Sequence, residues 1–235
     1  MTELLVTPLL EVIACSVADA VAAQKGGAAR LELCRNLELG GLTPSFELVQ
    51  EIKNAVDLPL RVMVRESVGF EMQNEDEVAG VCRAVEKFAE LGVDGAVLGY
   101  LKNGEVDVSL CQRIMTNAPD LKVTFHHAFE NANDKLSAIS HIRMIRQVDR
   151  ILSNGSSDAL RERISRLELY QRLAFPQMSI IAGGGIDLET IAALRRRTQI
   201  REFHVGRAAR LNNRIDGEVS AKLVNQLVNM VNSVE

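Results

Sequence analysis

The chain of 235 residues has no tryptophan, two tyrosines and a formal net charge of −4. So few of these aromatic residues argue against a large aromatic recognition surface. A weakly acidic chain has no general attraction for nucleic acid or for an anionic membrane. No apolar run reaches the roughly 18 residues that a membrane-spanning helix needs. The sequence therefore predicts neither a nucleic-acid partner nor a membrane partner.

The sequence also lacks a secretion signal and the cysteine spacing of a disulfide framework or zinc site. Its start, MTELLVTPLLEVIAC, has neither the basic beginning nor the long apolar run of a signal peptide. The four cysteines show no CxxC spacing and no disulfide-type density. We therefore expect a cytoplasmic protein with free thiols.

The chain does contain one pattern from end to end: a short apolar strand, a turn and an amphipathic helix. Strands that alternate with helices form parallel sheets, and about eight such units within roughly 250 residues are typical of a closed (βα)8 barrel. A doubly wound sheet is the alternative, but the sequence shows no long crossover at a switch point. No linker interrupts the pattern, so we predict a single α/β domain, a TIM barrel over residues 1–235. The predicted strands are Leu9–Cys15, Arg30–Cys34, Leu60–Val64, Gly95–Gly99, Lys122–His126, Arg150–Asn154, Met178–Gly183 and Glu202–Gly206.

The alternation of residues along these strands indicates which side chains point into the barrel. Apolar residues pack against the outer helices, so the residues between them face inward. Near the carboxyl ends of the strands, this rule turns Glu32, Arg65, His126 and His204 inward, whereas His127 starts the next loop. Barrels of this type carry their sites at that end, and we predict the site there. The alternative is that these residues fill the core, with Glu32 and Arg65 as an interior ion pair.

Four segments resemble the signatures of the CutC family, whose members are described as copper homeostasis proteins. They are ELCRNLELGGLTPS (32–45), TFHHAFE (124–130), AGGGI (182–186) and REFH (201–204). The resemblance extends from the first strand to about Ala208, and it implies a cytoplasmic (βα)8 barrel with a role in copper binding or trafficking. The chain departs from the family's pattern at residues 66–69, at His127 and at 205–207, where Arg207 and Arg210 are candidates to replace family arginines.

Copper(I) is the first ligand that the sequence suggests. This ion prefers soft thiolate and thioether donors, and Cys15 and Cys34 end neighbouring strands with the same inward alternation. Met63 shares that alternation on the next strand, at a deeper level. We therefore predict a two-thiolate metal site, the alternative being that both cysteines are small buried hydrophobes. Cys82 and Cys111 fall on helices and are interpreted as core residues.

The second hypothesis is an enzyme acting on a small carboxylated or phosphorylated metabolite. Glu32 and His126 would form the acid–base pair, and Arg65 would orient the anion. His204 would be a second polar contact. Many barrels bind phosphate through backbone N–H groups after the seventh and eighth strands; here the corresponding residues are Gly183, Gly184, Gly185 and Arg207. The alternative is that the glycines only form a tight turn.

A third hypothesis is a scaffold or binding protein without chemistry, and an exposed apolar helix face used to form a homo-oligomer would fit it. The sequence identifies no such face, and it leaves both the oligomeric state and the presence of enzymatic activity open. The expected partner is therefore a copper ion or a small-molecule ligand.

Overall fold

The computed structural model describes residues 7–155 and 159–233, which contain a closed parallel barrel. Its strands are β1 (Leu9–Ala14), β2 (Arg30–Leu33), β3 (Leu60–Met63), β4 (Gly95–Leu98), β5 (Lys122–Phe125), β6 (Val148–Ser153), β7 (Ser179–Ala182) and β8 (Glu202–Val205). Neighbours pair in parallel in the order β1-β8-β7-β6-β5-β4-β3-β2, and β2 closes on β1. The predicted (βα)8 fold is confirmed, and the doubly wound alternative is wrong. The ends of the predicted domain, residues 1–6 and 234–235, and residues 156–158 lie outside the described residues.

Helices alternate with the strands. They are α1 (Val17–Lys25), α2 (Phe46–Ala55), α3 (Glu75–Glu90), α4 (Val108–Met115), α5 (Lys135–Ile142), α6 (Leu160–Ala174), α7 (Leu188–Arg197) and α8 (Ala221–Asn232). Short polar side chains begin several of them, because an oxygen such as Ser16 Oγ or Asp187 Oδ1 accepts a first-turn N–H that has no helical partner. Among the described helices, none has the length and apolar character to cross a membrane.

The two faces of the sheet follow the predicted alternation. Outward side chains such as Leu31, Phe125 and Phe203 are fully buried in the main core with helix residues. Inward apolar side chains form a second, smaller cluster inside the barrel, consisting of Ile13, Cys34, Met63 and Val97. The barrel interior is therefore a packed core and not a pore.

Buried arginines and carboxylates fill the amino-terminal end of the barrel. Arg61 is fully buried. Its Nε donates to Asp94 at 2.7 Å, and its two terminal nitrogens donate to Asp149 at 2.9 and 2.8 Å. Such paired, multiply bonded charges tolerate burial far better than isolated ones.

Glu32 and Arg65 do not form an ion pair, so the alternative interpretation of these two residues is wrong. The strand register explains why. Glu32 on β2 lies level with Arg61 on β3, and Arg65 follows four residues later towards the mouth. Arg65 instead donates from Nη2 to the carbonyl of Leu39 at 2.6 Å.

Gly95 on β4 packs closely against the backbone of β5 and the side chain of Arg61. We therefore expect a substitution at Gly95 to change the stability of the protein. A Cβ at this position would be 2.6 Å from the carbonyl oxygen of Lys122 and 2.8 Å from Arg61 Nη1. Such overpacking costs about 1–3 kcal/mol, so we expect Gly95→Ala to lower the free energy of unfolding in urea. Gly80→Ala is the matched control, because a Cβ in the middle of α3 would meet only Arg83 Nη2, at 4.0 Å. This helical substitution should stabilise the protein by roughly 0.5–1 kcal/mol. Equal unfolding midpoints for the two variants would contradict the prediction.

Candidate functional site at the barrel mouth

The carboxyl ends of the strands open into a cavity of about 500 Å³. Its wall is formed by strand ends and the loops that follow them. Most of the residues predicted from sequence line it, namely Glu32, Arg65, His126, His204, Gly184, Gly185 and Arg207. Gly183, Cys15 and Cys34 do not line this cavity. The structure thus brings residues from distant parts of the chain to one end of the barrel.

His204 lines the cavity and is held by Glu11, a carboxylate that sequence reasoning did not assign to the site. Glu11 Oε1 lies 2.7 Å from His204 Nδ1, and Glu11 Oε2 accepts from Arg30 Nε at 2.5 Å. Burial alone would raise the pKa of Glu11, but the Arg30 charge and the His204 contact hold that pKa well below its usual range. Because Nδ1 faces Glu11, the Nε2 atom of His204 is the ring nitrogen left for a ligand.

Glu32 completes this group. Its Oε2 lies 3.9 Å from His204 Nδ1 and has no hydrogen-bond partner among the described residues. Burial raises the pKa of Glu32 to about 7, while the neighbouring His204 charge opposes the rise. Burial would lower the pKa of His204, but the charge of Glu32 and the contact with Glu11 outweigh burial and raise it.

Glu11, Glu32 and His204 bring one ligand atom each to within 4.8 Å of one another. Oxygen and imidazole donors suit divalent metals better than copper(I), which prefers sulfur. Both Glu11 oxygens and His204 Nδ1 already have protein partners, Arg30 and each other, so Glu32 Oε2 is the atom of this group that lacks a partner among the described residues.

His126 and Glu32, the predicted acid–base pair, both line the cavity, but no hydrogen bond joins them. The Nδ1 atom of His126 accepts the N–H of Ala128 at 3.2 Å, and Nε2 has no partner among the described residues. Burial lowers the pKa of His126 to about 3, and the Arg65 charge adds to this effect. The ring is therefore neutral near pH 7, with its proton on Nε2.

His127 was expected in the following loop, and it is the residue that precedes a short helix, Ala128–Asn131. This helix turns the chain beside the mouth, and His127 lines the cavity. Burial lowers the pKa of His127 to about 4, with a further lowering from the His204 charge.

The neutral state of His126 predicts a pH dependence of stability. The unfolded ring takes up a proton below its ordinary pKa of 6.5, whereas the folded ring does so only near a pKa of 3. The unfolded state therefore binds more protons in this window, and the His126 contribution to stability falls as the pH falls. As the pH is lowered from 6 to 4, we expect the free energy of unfolding of the wild type to fall by about 1.4 kcal/mol per pH unit relative to that of His126→Asn. Asparagine keeps an acceptor for the Ala128 N–H but does not titrate. Urea unfolding at several pH values measures the difference, and parallel curves would refute the prediction.

The glycine loop after β7 is fixed by an arginine that sequence reasoning missed. Arg163 on α6 donates to the carbonyls of Gly183 at 2.7 Å, Gly184 at 2.6 Å and Gly185 at 3.3 Å. Gly184 and Gly185 have φ values of +68° and +73°, a conformation that favours glycine.

The two arginines considered as replacements for family arginines differ in their surroundings. Arg207 is exposed and lines the cavity. Arg210 is buried, and its terminal nitrogens donate to Asp19 Oδ2 at 2.9 Å and to the carbonyl of Gly217 at 2.8 Å. Only Arg207 of this pair can meet a ligand in the cavity, so the expectation for Arg210 is wrong in that respect.

The two cysteines predicted as metal ligands lie side by side. Cys15 Sγ and Cys34 Sγ are 3.7 Å apart, with Cys34 buried and Cys15 half-buried. A hydrogen bond with Cys34 and the charge of Arg210, whose Nη2 lies 3.9 Å from Cys15 Sγ, lower the pKa of the Cys15 thiol against the effect of burial. The same hydrogen bond, together with burial, raises the pKa of Cys34.

The other two cysteines lie on helices, as expected. Cys111 on α4 is fully buried in the main core, and burial raises its pKa to about 12. Cys82 on α3 is half-buried and packs against the same core.

Comparisons with known proteins relate the chain to one family. The profile of the CutC family matches residues 8–209. A CutC family protein of Xanthomonas axonopodis pv. citri (strain 306) is 39% identical over 196 residues, which are 83% of this chain and 81% of the relative. The copper homeostasis protein cutC homolog of Homo sapiens is 33% identical over 198 residues, covering 83% and 72% of the two chains. The crystal structure of CutC from Streptococcus agalactiae superposes with a TM-score of 0.78 at 26% identity, over 84% of this chain and 98% of that chain.

Proposed function

This chain belongs to the CutC family, and we propose that it serves copper homeostasis by binding copper(I) between Cys15 and Cys34. The observation that carries the proposal is the 3.7 Å separation of the two sulfurs at the mouth of the barrel. That separation is far longer than the ~2.05 Å of a disulfide bond. Small shifts of two such thiolates suffice to place a soft ion between them.

The surroundings of the thiol pair favour a soft metal. Cys34 packs with Met63, Ile13 and Val97, and Cys15 contacts the edge of this cluster. A Cβ on Gly41 would lie 3.4 Å from both Cys34 Sγ and the Met63 methyl carbon. The glycine therefore leaves space beside the thiol and the thioether, and these are the donor types that copper(I) prefers.

Charge supports the same proposal. Two thiolates and one copper(I) ion carry a net charge of −1. The guanidinium of Arg210, which also donates to Asp19, lies 3.9 Å from Cys15 Sγ and stabilises this charge. The lowered pKa of Cys15 favours a first thiolate, and copper would displace the proton of Cys34. Metal ligands must be deprotonated, so the affinity for copper(I) should rise with pH. The site needs reduced thiols, and the described cysteines are all free. We therefore propose the cytoplasm as its compartment.

X-ray absorption at the copper edge tests the proposal. The reduced protein receives one equivalent of copper(I) under anaerobic conditions, and the expected spectrum shows sulfur scatterers only. A shell of nitrogen and oxygen, the donor types that the group of Glu11, Glu32 and His204 offers, would contradict the proposal. Cys82→Ser is the control and should give the wild-type spectrum.

A further inference from the structure

The cavity at the barrel mouth contains more hydrogen-bond donors than its own residues satisfy. We propose that it binds a second ligand, a small hydroxyl-bearing phosphate monoester. This inference goes beyond copper binding and does not depend on it, since none of the donors is a sulfur atom.

The first group of donors lies after β7 and β8. The carbonyls of the glycine loop are all held by Arg163, whereas the N–H groups of Gly184 and Gly185 have no acceptor among the described residues. Phe203 on β8 pairs with Ala182 on β7, so the loops that follow these two residues are neighbours. Backbone N–H groups and a guanidinium are strong partners for phosphate oxygens.

Arg207 supplies the guanidinium in this corner. It is exposed and lines the cavity. Within residues 7–155 and 159–233, its side chain has no hydrogen bond and no ion pair. The side chain is therefore available to a ligand, and the proposed phosphate would lie between it and the glycine loop.

The second group of donors lies after β3 and β5, where two buried side chains each leave one N–H without an acceptor. His126 is 2% exposed and Arg65 is 6% exposed. Ala128 donates to His126 Nδ1, so the neutral ring carries its proton on Nε2. This N–H and the Nε–H of Arg65 have no partners within the described chain. A buried donor left unpaired costs free energy that a ligand oxygen would recover.

One buried carboxylate oxygen in the cavity wall also lacks a partner among the described residues, and it indicates that the ligand carries a hydroxyl group. Glu32 Oε2 is buried and has no partner in the described part of the chain. A hydroxyl group can both donate to it and accept from the neighbouring donors. Phosphate oxygens and hydroxyl groups together therefore match the cavity better than either one alone.

Two arginines and two carboxylates, those of Glu32 and Asp187, face the cavity, so it is the unpaired donors, and not a net positive charge, that favour an anion. Arg65 and Arg207 are the arginines in its wall. The opposing carboxylate of Asp187 is already engaged, because its Oδ1 accepts from the N–H and the hydroxyl of Thr190 at the start of α7.

Titration of copper-free, reduced wild-type protein tests the inference directly. Inorganic phosphate, glycerol phosphate and glycerol are added separately up to millimolar concentration, and amide resonances are followed by NMR. We expect glycerol phosphate to bind more tightly than phosphate and to shift the amides of Gly184 and Gly185, with no effect from glycerol. Absence of phosphate binding, or shifts confined to other parts of the chain, would overturn the proposal.

The affinities of variants for glycerol phosphate distinguish a specific binding site from non-specific attraction by positive charge. Arg207→Gln should weaken glycerol phosphate binding about tenfold or more, the value of a charge-assisted hydrogen bond. Arg197→Gln removes the same charge from an exposed residue at the end of α7 and should leave binding unchanged. His126→Asn should also weaken binding. Equal affinities for Arg207→Gln and Arg197→Gln would show non-specific attraction only and would overturn the assignment.

Discussion

Replacing Cys34 with serine lowers the affinity for copper(I) by more than about a hundredfold, since even partners that only orient metal ligands are worth 10- to 100-fold. A hydroxyl is a hard and weakly acidic donor that copper(I) avoids. Cys34 Sγ also contacts Cys15 Sγ at 3.7 Å, so the substitution leaves one thiolate where the proposal needs two. Anaerobic competition against a calibrated copper(I) chelator measures the affinity. Cys15→Ser should show a loss of the same order.

Cys82→Ser is the matched control for this effect. It removes a thiol from a half-buried position on α3, and it should retain wild-type affinity. Thermal unfolding of the copper-free variants establishes that each is folded before titration. Wild-type affinity in both Cys15→Ser and Cys34→Ser would mean that the two thiols only fill the core.

Replacing Glu11 with alanine lowers the free energy of unfolding by about 3–5 kcal/mol, the usual cost of removing one partner from a buried ion pair. Glu11 is fully buried and is bonded to both Arg30 and His204. Without it, the ion-pair partner left to the Arg30 guanidinium among the described residues is Glu202, at 3.3 Å. The His204 ring would also lose the contact that fixes its orientation. Urea denaturation at pH 7 measures the loss.

Glu75→Ala provides the comparison. Glu75 pairs with Arg113 at 2.6 Å, but the side chains are 76% and 55% exposed, so water screens the pair. We expect nearly wild-type stability for this variant. A Glu11→Ala protein as stable as Glu75→Ala would show that the buried pair contributes nothing beyond its desolvation cost.

The barrel could be predicted from the sequence because burial on one face of each strand requires apolar residues at alternate positions. Residues such as Leu31 and Phe125 must meet the helices, and their neighbours then point inward. The strand ends were predicted about one residue too long at Cys34 and His126. These residues still donate their N–H groups to Ala14 and Leu98 on the adjacent strands. The inward direction predicted for both therefore holds.

The contacts inside the barrel could not be predicted, because they depend on the stagger between strands. The alternation along LEVIAC turns Glu11 inward, but only the register places it beside Arg30 on β2 and His204 on β8. The same stagger separates Glu32 from Arg65. Alternation indicates the face on which a side chain lies, whereas the height along the barrel axis decides its partner.

The structure of the loops could not be predicted from the sequence either. The hairpin of Leu101–Lys102 with Glu105–Val106 is too short to show a strand pattern. The role of Arg163 was also hidden, because on an outer helix it resembles any exposed charge. A buried strand is marked by its composition, but a side chain that reaches over a loop leaves no periodic signal.

Alkylation of wild-type protein by maleimide, mapped residue by residue with mass spectrometry, tests the central claim without any substitution. Reduced protein is labelled anaerobically with and without one equivalent of copper(I). Cys15, half-buried with a lowered pKa, should react readily in the metal-free protein and become protected when copper is bound. Cys82 is the internal control and should react at the same rate in both samples. Unchanged labelling of Cys15 in the presence of bound copper would contradict a thiolate site at the barrel mouth.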